Sequence, residues 1–252
     1  MLRVSDLAVG YGQEPVVEGV SLEVAAGRFV SLVGPSGSGK TSILRAVNGL
    51  LTPRAGQIEL NGSRESLGFL FQDDALLPWR TARENVALGL RIRDVAKNAA
   101  QVEAEGWLTR LGLEGLGDRF PHELSGGQRK RVAIAQILAL KPKLLLMDEP
   151  FAALDAIVRT RITQELLDWV EREHLSVLLV THDLEEALTV SDTVYLLSQG
   201  PRARVRTSYE VSIPRPRDIF ACRRHPSFAP LLEQLWHDMS EVMSLSQFEG
   251  AK

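Results

Sequence analysis

The run Gly34-Pro35-Ser36-Gly37-Ser38-Gly39-Lys40-Thr41 constrains this chain more than any other feature of it. It fits G-x-x-x-x-G-K-[ST] and stands between a compact apolar strand, Arg28–Val33, and a helix opening near Lys40. Glycines let the backbone wrap round phosphates with its N–H groups inward, and a helix N-terminus adds partial positive charge. Lys40 is placed to reach the β- and γ-phosphates, the Thr41 hydroxyl to ligate Mg²⁺, and Ser42 to hold the α-phosphate end. An ordinary glycine-rich strand-to-helix turn needs neither Lys-Thr after its last glycine nor this flanking order. The run marks a nucleotide site without saying what the nucleotide does.

The surrounding pattern is mixed. Leu2–Val9, Val16–Val24, Gln57–Leu60 and Gly68–Phe71 read as short strands bounded by turns. From Asp73 to Leu140 the period changes to three and four, predicting helices over Ala82–Leu90, Ala96–Leu111 and Ser125–Leu140. Then strands Lys143–Met147, Ser176–Val180 and Thr193–Ser198 alternate with helices Asp155–Glu173 and Leu184–Val190, the order of a parallel sheet. After Gly200 come a strand-like piece, a Pro/Arg-rich stretch and a final helix near Ser227–Met243. Trp107, Trp169 and Trp236 read as packing residues on helices.

Composition narrows the class. At 252 residues, 44% hydrophobic and 24% charged, the chain is long enough for a full core. With 29 Lys+Arg against 32 Asp+Glu, nothing global calls for nucleic acid. A single cysteine, Cys222, forms no internal disulfide and fits a reducing compartment. No apolar run approaches the ~18 residues of a membrane span. The N-terminus, with acidic Asp6, has no signal-peptide core. The expectation is a soluble, cytoplasmic chain.

Two further places carry chemistry. The apolar strand Leu144–Met147 runs into Asp148, Glu149 and Pro150. A solvated strand end would explain adjacent acids, but beside a phosphate loop they suit Mg²⁺ binding by Asp148, through water, and activation of an attacking water by Glu149. Leu124-Ser125-Gly126-Gly127-Gln128 opens a helix with a capping serine and two glycines that expose N–H groups at its positive end. A second phosphate-binding surface in one chain suggests a head-to-tail dimer in which each copy closes the other's site. Alone, Tyr11 would be a turn tyrosine, Gln72 a surface residue and His182 a polar strand end.

In that order and spacing these residues resemble the ATP-binding subunit of an ABC transporter, from about Leu2 to Ser198. The resemblance implies an α/β, P-loop NTPase (RecA-like) core with an antiparallel β subdomain and an inserted α-helical subdomain. Residues 1–72 and 143–200 would form the core, 73–142 the helical subdomain and 201–252 a short C-terminal extension. It further implies that Tyr11 stacks on adenine and that Gly34–Thr41 is the Walker A loop. Gln72 becomes the Q-loop glutamine, touching Mg²⁺. Leu124–Gln128 is the signature, acting in trans. Asp148 closes Walker B, with Glu149 as catalytic base. Ala153-Leu154-Asp155 is the D-loop and His182 the switch histidine. Two departures are small: Gln136 stands where many members have Arg, and Ala152-Ala153 replaces the commoner Gly/Ser.

The implied cofactors are ATP and Mg²⁺. The implied partners are a second copy, transmembrane permease subunits met through Leu76, Leu77 and Trp79, and indirectly a solute-binding protein; no nucleic acid is expected. The place is peripheral, on the cytoplasmic face of the membrane. The lack of a fused membrane domain favours an importer. Leu76-Leu77-Pro78-Trp79, Leu196–Pro201 and Ile213–Arg217 resemble the nitrate/sulfonate/taurine branch, which also includes carriers for pyrimidine vitamin precursors and aromatic carboxylates, and so imply a small anionic or vitamin-precursor solute. The seven arginines from Arg202 to Arg224 either face lipid or permease or are solvated. A soluble assembly ATPase of the iron–sulfur type and an exporter's ATPase are the competing readings. With 107 residues between Lys40 and Asp148, a repair-type coiled coil has no room.

Overall fold

Strands β3 (Phe29–Val33), β6 (Leu144–Asp148) and β7 (Ser176–Val180) are buried at every residue, which only a sheet covered on both faces allows. The computed structural model describes residues 1–152 and 154–249, the last five of these as helical backbone only. These strands lie inside a six-stranded sheet ordered β5 (Leu67–Leu70), β6, β7, β3, β8 (Thr193–Leu197) and β9 (Val205–Glu210). The first five are parallel, and β9 runs antiparallel along β8. A separate antiparallel sheet has the order β2 (Val17–Val24), β1 (Leu2–Val9), β4 (Ala55–Leu60).

Helix α1 (Lys40–Val47) lies between the two sheets, where Ile43, Leu44, Ala46 and Val47 share a core with Leu2, Val4, Leu7, Leu32 and Val180. Helices α2 (Ala82–Ile92), α3 (Lys97–Arg110) and α4 (Gly126–Leu138) are inserted between β5 and β6. Their core, with Trp107, Leu108 and Val132, continues into Leu145 and Met147 of β6. Trp107 meets Trp169 of α5 (Ala156–Arg172) at a ring separation of 5.1 Å. Helix α6 (Leu184–Val190) follows β7.

Beyond Gly200 the chain does not run free. Strand β9 extends the central sheet, and α7 (Ile219–Arg224) and α8 (Phe228–Glu249) cover Leu184, Leu188 and Tyr209. Four of the seven arginines pair with acids of the body: Arg215 and Arg217, withdrawn from solvent, with Asp192, and the more exposed Arg204 and Arg223 with Glu18 and Glu185. Buried Asp192 also accepts from the Phe29 N–H at 2.8 Å. The short helix α7 is too brief to show a period in sequence. Trp236, expected to pack, is 55% exposed, because the buried stripe of α8 runs through Leu235, Met239 and Val242, one position away.

Candidate nucleotide site

Three neighbouring parallel strands, β3, β7 and β6, end on the same edge of the sheet, where open α/β sheets place their ligands. Strand β3 delivers Gly34–Thr41. Gly37 and Gly39 sit at φ 80° and 85°, left-handed conformations that glycine adopts without a steric cost. At Gly39 a side chain is also excluded by space, since a methyl there would lie 2.5 Å from Val17 Cγ1. Lys40 is buried, its Nζ donating to the carbonyls of Gly34 at 2.8 Å and Pro35 at 2.9 Å. Burial holds its pKa below the ordinary lysine value, with Glu149 and Asp148 pulling the other way. Ser38 Oγ is buried in the same loop without a hydrogen-bond partner.

Strand β6 delivers the acids. Thr41 Oγ1 donates to Asp148 Oδ1 at 2.9 Å. Burial raises the Asp148 pKa, the Thr41 bond opposes this and the charge of Glu149 adds to it. Glu149 has φ +43°, rare outside glycine and common at sites that hold strain. Its N–H donates to the Val180 carbonyl at 2.9 Å, and its Oε2 lies 3.0 Å from Nδ1 of His182, just past β7. The ends of β6 and β7 are thus tied through main chain and side chain.

No motif marks the supports of this site. Tyr11, 62% exposed, has its hydroxyl fixed by Arg45 Nη1 of α1 at 2.9 Å. Arg54 holds the following turn through the carbonyls of Gly12 and Gln13. Arg45 lies five residues beyond Lys40 on the same short helix, the one signal a sequence offers for it.

A second group stands apart. Ser125 caps α4, accepting from Gln128 N while Gln128 Oε1 accepts from Ser125 N at 2.9 Å. Its hydroxyl proton is left to donate elsewhere. Asp155 caps α5 through Ile157 N and Val158 N, and Gly127 lies so close to that helix that a methyl would be 2.8 Å from Val158 Cγ1. Leu124 is buried beneath and Gly126 is exposed. Ala153, read as part of the D-loop, lies outside the described residues. Among the described residues no hydrogen bond or ion pair joins Leu124–Gln128 to Gly34–Thr41. Gln72, exposed, sits on the link between β5 and the helical insertion. In that link Leu76 and Leu77 are half-buried and Trp79 is 71% exposed.

Residues 17–152 match the family model described as ABC transporter. The chain belongs to the ABC transporter family. This ABC cassette is 44% identical over 208 residues to the aliphatic sulfonates import ATP-binding protein SsuB 2 of Pseudomonas syringae pv. syringae, covering 82% of this chain and 72% of that one. It is 37% identical over 243 residues to the bicarbonate transport ATP-binding protein CmpC and 39% over 240 to the nitrate import ATP-binding protein NrtC, both of Synechococcus elongatus. Those matches cover 94% and 92% of the cassette but only 37% and 36% of the relatives' own length. The dimeric, post-hydrolysis structure of the ATP-binding cassette MJ0796 bound to ADP and Pi superposes with a TM-score of 0.75 at 30% identity, over 85% of this chain and all of that one. The α/β P-loop core, the antiparallel sheet and the helical insertion expected from sequence are the architecture observed. Among the described residues no helix is long and apolar enough to cross a membrane.

Proposed function

We propose that this cassette is the ATP-hydrolysing subunit of an importer for a small anion. It would work as a head-to-tail dimer on the cytoplasmic face of a membrane, beneath a permease fed by a solute-binding protein. Residues 1–200 would carry the cassette and 201–252 an extension annexed by its sheet. The observation that carries the reading is the division of the site. The phosphate loop with Asp148, Glu149 and His182 forms one group, and Ser125, Gly127 and Asp155 form another that, among the described residues, no hydrogen bond or ion pair joins to it. A second copy, set head to tail, would bring the two together. Nitrate, bicarbonate and sulfonate, named for the relatives, are all small anions.

Each residue's part follows from its place. Lys40 exchanges the Gly34 and Pro35 carbonyls for phosphate oxygens, and the loop amides and Ser38 Oγ supply further donors. Tyr11 offers a ring to the base, and Ser42 sits behind the α-phosphate. The Thr41–Asp148 pair, with Gln72, presents the oxygen donors that a hard cation takes, so the residues fit Mg²⁺. Bound there, Mg²⁺ neutralises phosphate charge. Glu149 accepts the proton of the attacking water, and His182 orients Glu149 and faces the γ-phosphate. The partner's Leu124–Gln128 segment and Asp155 close the cleft. The work is positioning and charge stabilisation.

Glu149→Gln should bind ATP and hold the dimer without turnover. Tagged and purified from membranes solubilised with ATP and Mg²⁺, it should bring a multi-span permease with it. Soluble partners alone would favour the assembly-ATPase reading and sink this one. A permease that carries its own substrate outward would place the cassette in an exporter.

A further inference from the structure

Helix α4 holds a charged clamp that the proposed chemistry does not use. Lys130, the sixth residue from the cap Ser125 counting both, is 2% exposed. Its Nζ donates to Asp74 Oδ1 at 2.8 Å and to the Gln72 main-chain carbonyl at 3.1 Å. The neighbouring Arg129 approaches the other oxygen of Asp74, Nε to Oδ2 3.6 Å, while its Nη1 donates to the Leu124 carbonyl at 2.6 Å. Two successive cations on the first turns of α4 therefore grip residues 72–74, and one of them also grips Leu124.

A buried ammonium without acceptors is costly, far more so than an exposed one. The acceptors of Lys130 among the described residues are Gln72 and Asp74. When residues 72–74 shift, the lysine either follows them or is left buried and unpaired. Helix α4 is a rigid rod, so if its Lys130 follows, its N-terminal Ser125 moves too.

We propose that Lys130 is the positioning residue that ties Gln72, at the cassette's own nucleotide site, to the Ser125–Gln128 surface offered to the partner's site, with Asp74 as its counter-ion. The clamp turns occupancy of one site into placement of the donors for the other. The proposal rests on the function above, because it needs a dimer in which Ser125 serves the second copy.

The test uses Lys130→Met and Asp74→Asn in the full chain, with ATP binding, steady-state hydrolysis and dimerisation read separately. Residues 34–41 and Tyr11 are untouched, so the monomer's Kd for a fluorescent ATP analogue stays within about twofold of wild type, well below one coupling interval. The value of kcat falls by at least about 5-fold, the low end of coupling between sites. In the Glu149→Gln background, ATP-driven dimerisation needs a correspondingly higher protein concentration. Lys130→Arg, which keeps both charge and donors, restores part of the loss. If kcat and dimerisation are unchanged in both variants, or if nucleotide Kd weakens as much as kcat falls, the clamp is structural only and the proposal fails. Should Lys130→Met not fold, Asp74→Asn decides alone, because Asp74 is partly exposed and its loss leaves the Gln72 bond in place. If the wild-type cassette neither hydrolyses ATP nor dimerises with it, the function itself fails, whatever the variants do.

Discussion

The α-carbon of Gly200 faces the carbonyl oxygen of Gly37 so closely that a methyl group on it would stand 2.7 Å from that oxygen. The turn after β8 is thereby pressed against the outside of the phosphate loop. The same turn is fixed from behind, because the Ala203 N–H donates to the Val16 carbonyl at 2.9 Å and the Arg202 N–H to the Pro15 carbonyl.

Gly200→Ala should therefore disturb the loop through the Gly37 carbonyl, while every donor to the nucleotide keeps its identity. The obstacle is backbone, and Gly37 already holds a left-handed conformation, so neither side yields freely. Overpacking of this kind costs roughly 1–3 kcal/mol. If half or more of that falls on the loop, ATP affinity drops about tenfold for each 1.4 kcal/mol. Isothermal titration with a non-hydrolysable ATP analogue checks it, and an unchanged Kd would show that the turn gives way instead.

The fold around Asp148 disfavours its charge. Burial and the adjacent Glu149 raise its pKa despite the bond from Thr41, so its ionised form is disfavoured by the fold. Removing that charge should stabilise the nucleotide-free chain. Asp148→Asn should raise Tm, since a carboxylate whose pKa the fold raises costs stability where it is ionised. It should also abolish Mg²⁺-dependent hydrolysis. Thermal melts in EDTA, with hydrolysis assayed alongside, separate the two effects; a lower Tm would refute that cost.

Much of this is legible in the amino-acid sequence. The strands β3, β6 and β7 announced themselves as apolar runs without a polar face, and the residues at their ends, Gly34–Thr41, Asp148–Glu149 and His182, could be read from motif and place. The separation of Ser125 from that cluster was also legible, since Ser125 falls in the helical insertion. What stayed hidden were long-range pairs. Arg45 with Tyr11, Lys130 with Gln72 and Asp74, and Asp192 with Arg215 and Arg217 join residues 23–58 positions apart, and in sequence each is simply one more charge. The arginines beyond Gly200 belong with them: in sequence they suit lipid, a permease or solvent equally, and the acids that four of them meet lie far away in the chain. Helix α7, six residues long, offers no period to detect.

Asp192 gives an acid-stability prediction. Burial pushes its pKa up, but Arg215, the Phe29 N–H and Arg217 together hold it below the ordinary carboxylate value. Arg28 at 3.7 Å adds to them, while Glu171 shares Arg215. A depressed carboxylate contributes stability that is complete above its unfolded pKa, about 3.9, and is lost as pH falls through the folded value. The Asp192 contribution should thus be flat from pH 7 to 5 and fade below about pH 4. Asp192→Asn should remove that acid limb and leave Arg217 buried without its counter-ion, a loss of about 3 kcal/mol or on the order of 10 °C in Tm at pH 7. Melts of both proteins across pH 3–7 test the sign; an equal acid slope in the variant would point to other carboxylates.

The exposed ring of Trp79 is presented by a buried residue that no motif marks. Asn85 of α2 is fully buried; its Oδ1 accepts from Leu77 N at 2.8 Å and its Nδ2 donates to the carbonyls of Leu77, Arg80 and Thr81. Those bonds fold residues 77–81 into a fixed loop with Trp79 at its tip. If that tip docks a permease, the two positions should behave differently. Trp79→Ala, lacking packing to lose, should stay within about 0.5 kcal/mol of wild-type stability, yet lose the membrane partner in the Glu149→Gln pull-down. Asn85→Ala should lose the partner as well, but with a stability cost of about 1–3 kcal/mol for the acceptors and donor it strands. Recovery of the permease by Trp79→Ala at wild-type yield would remove Leu76, Leu77 and Trp79 from the docking surface.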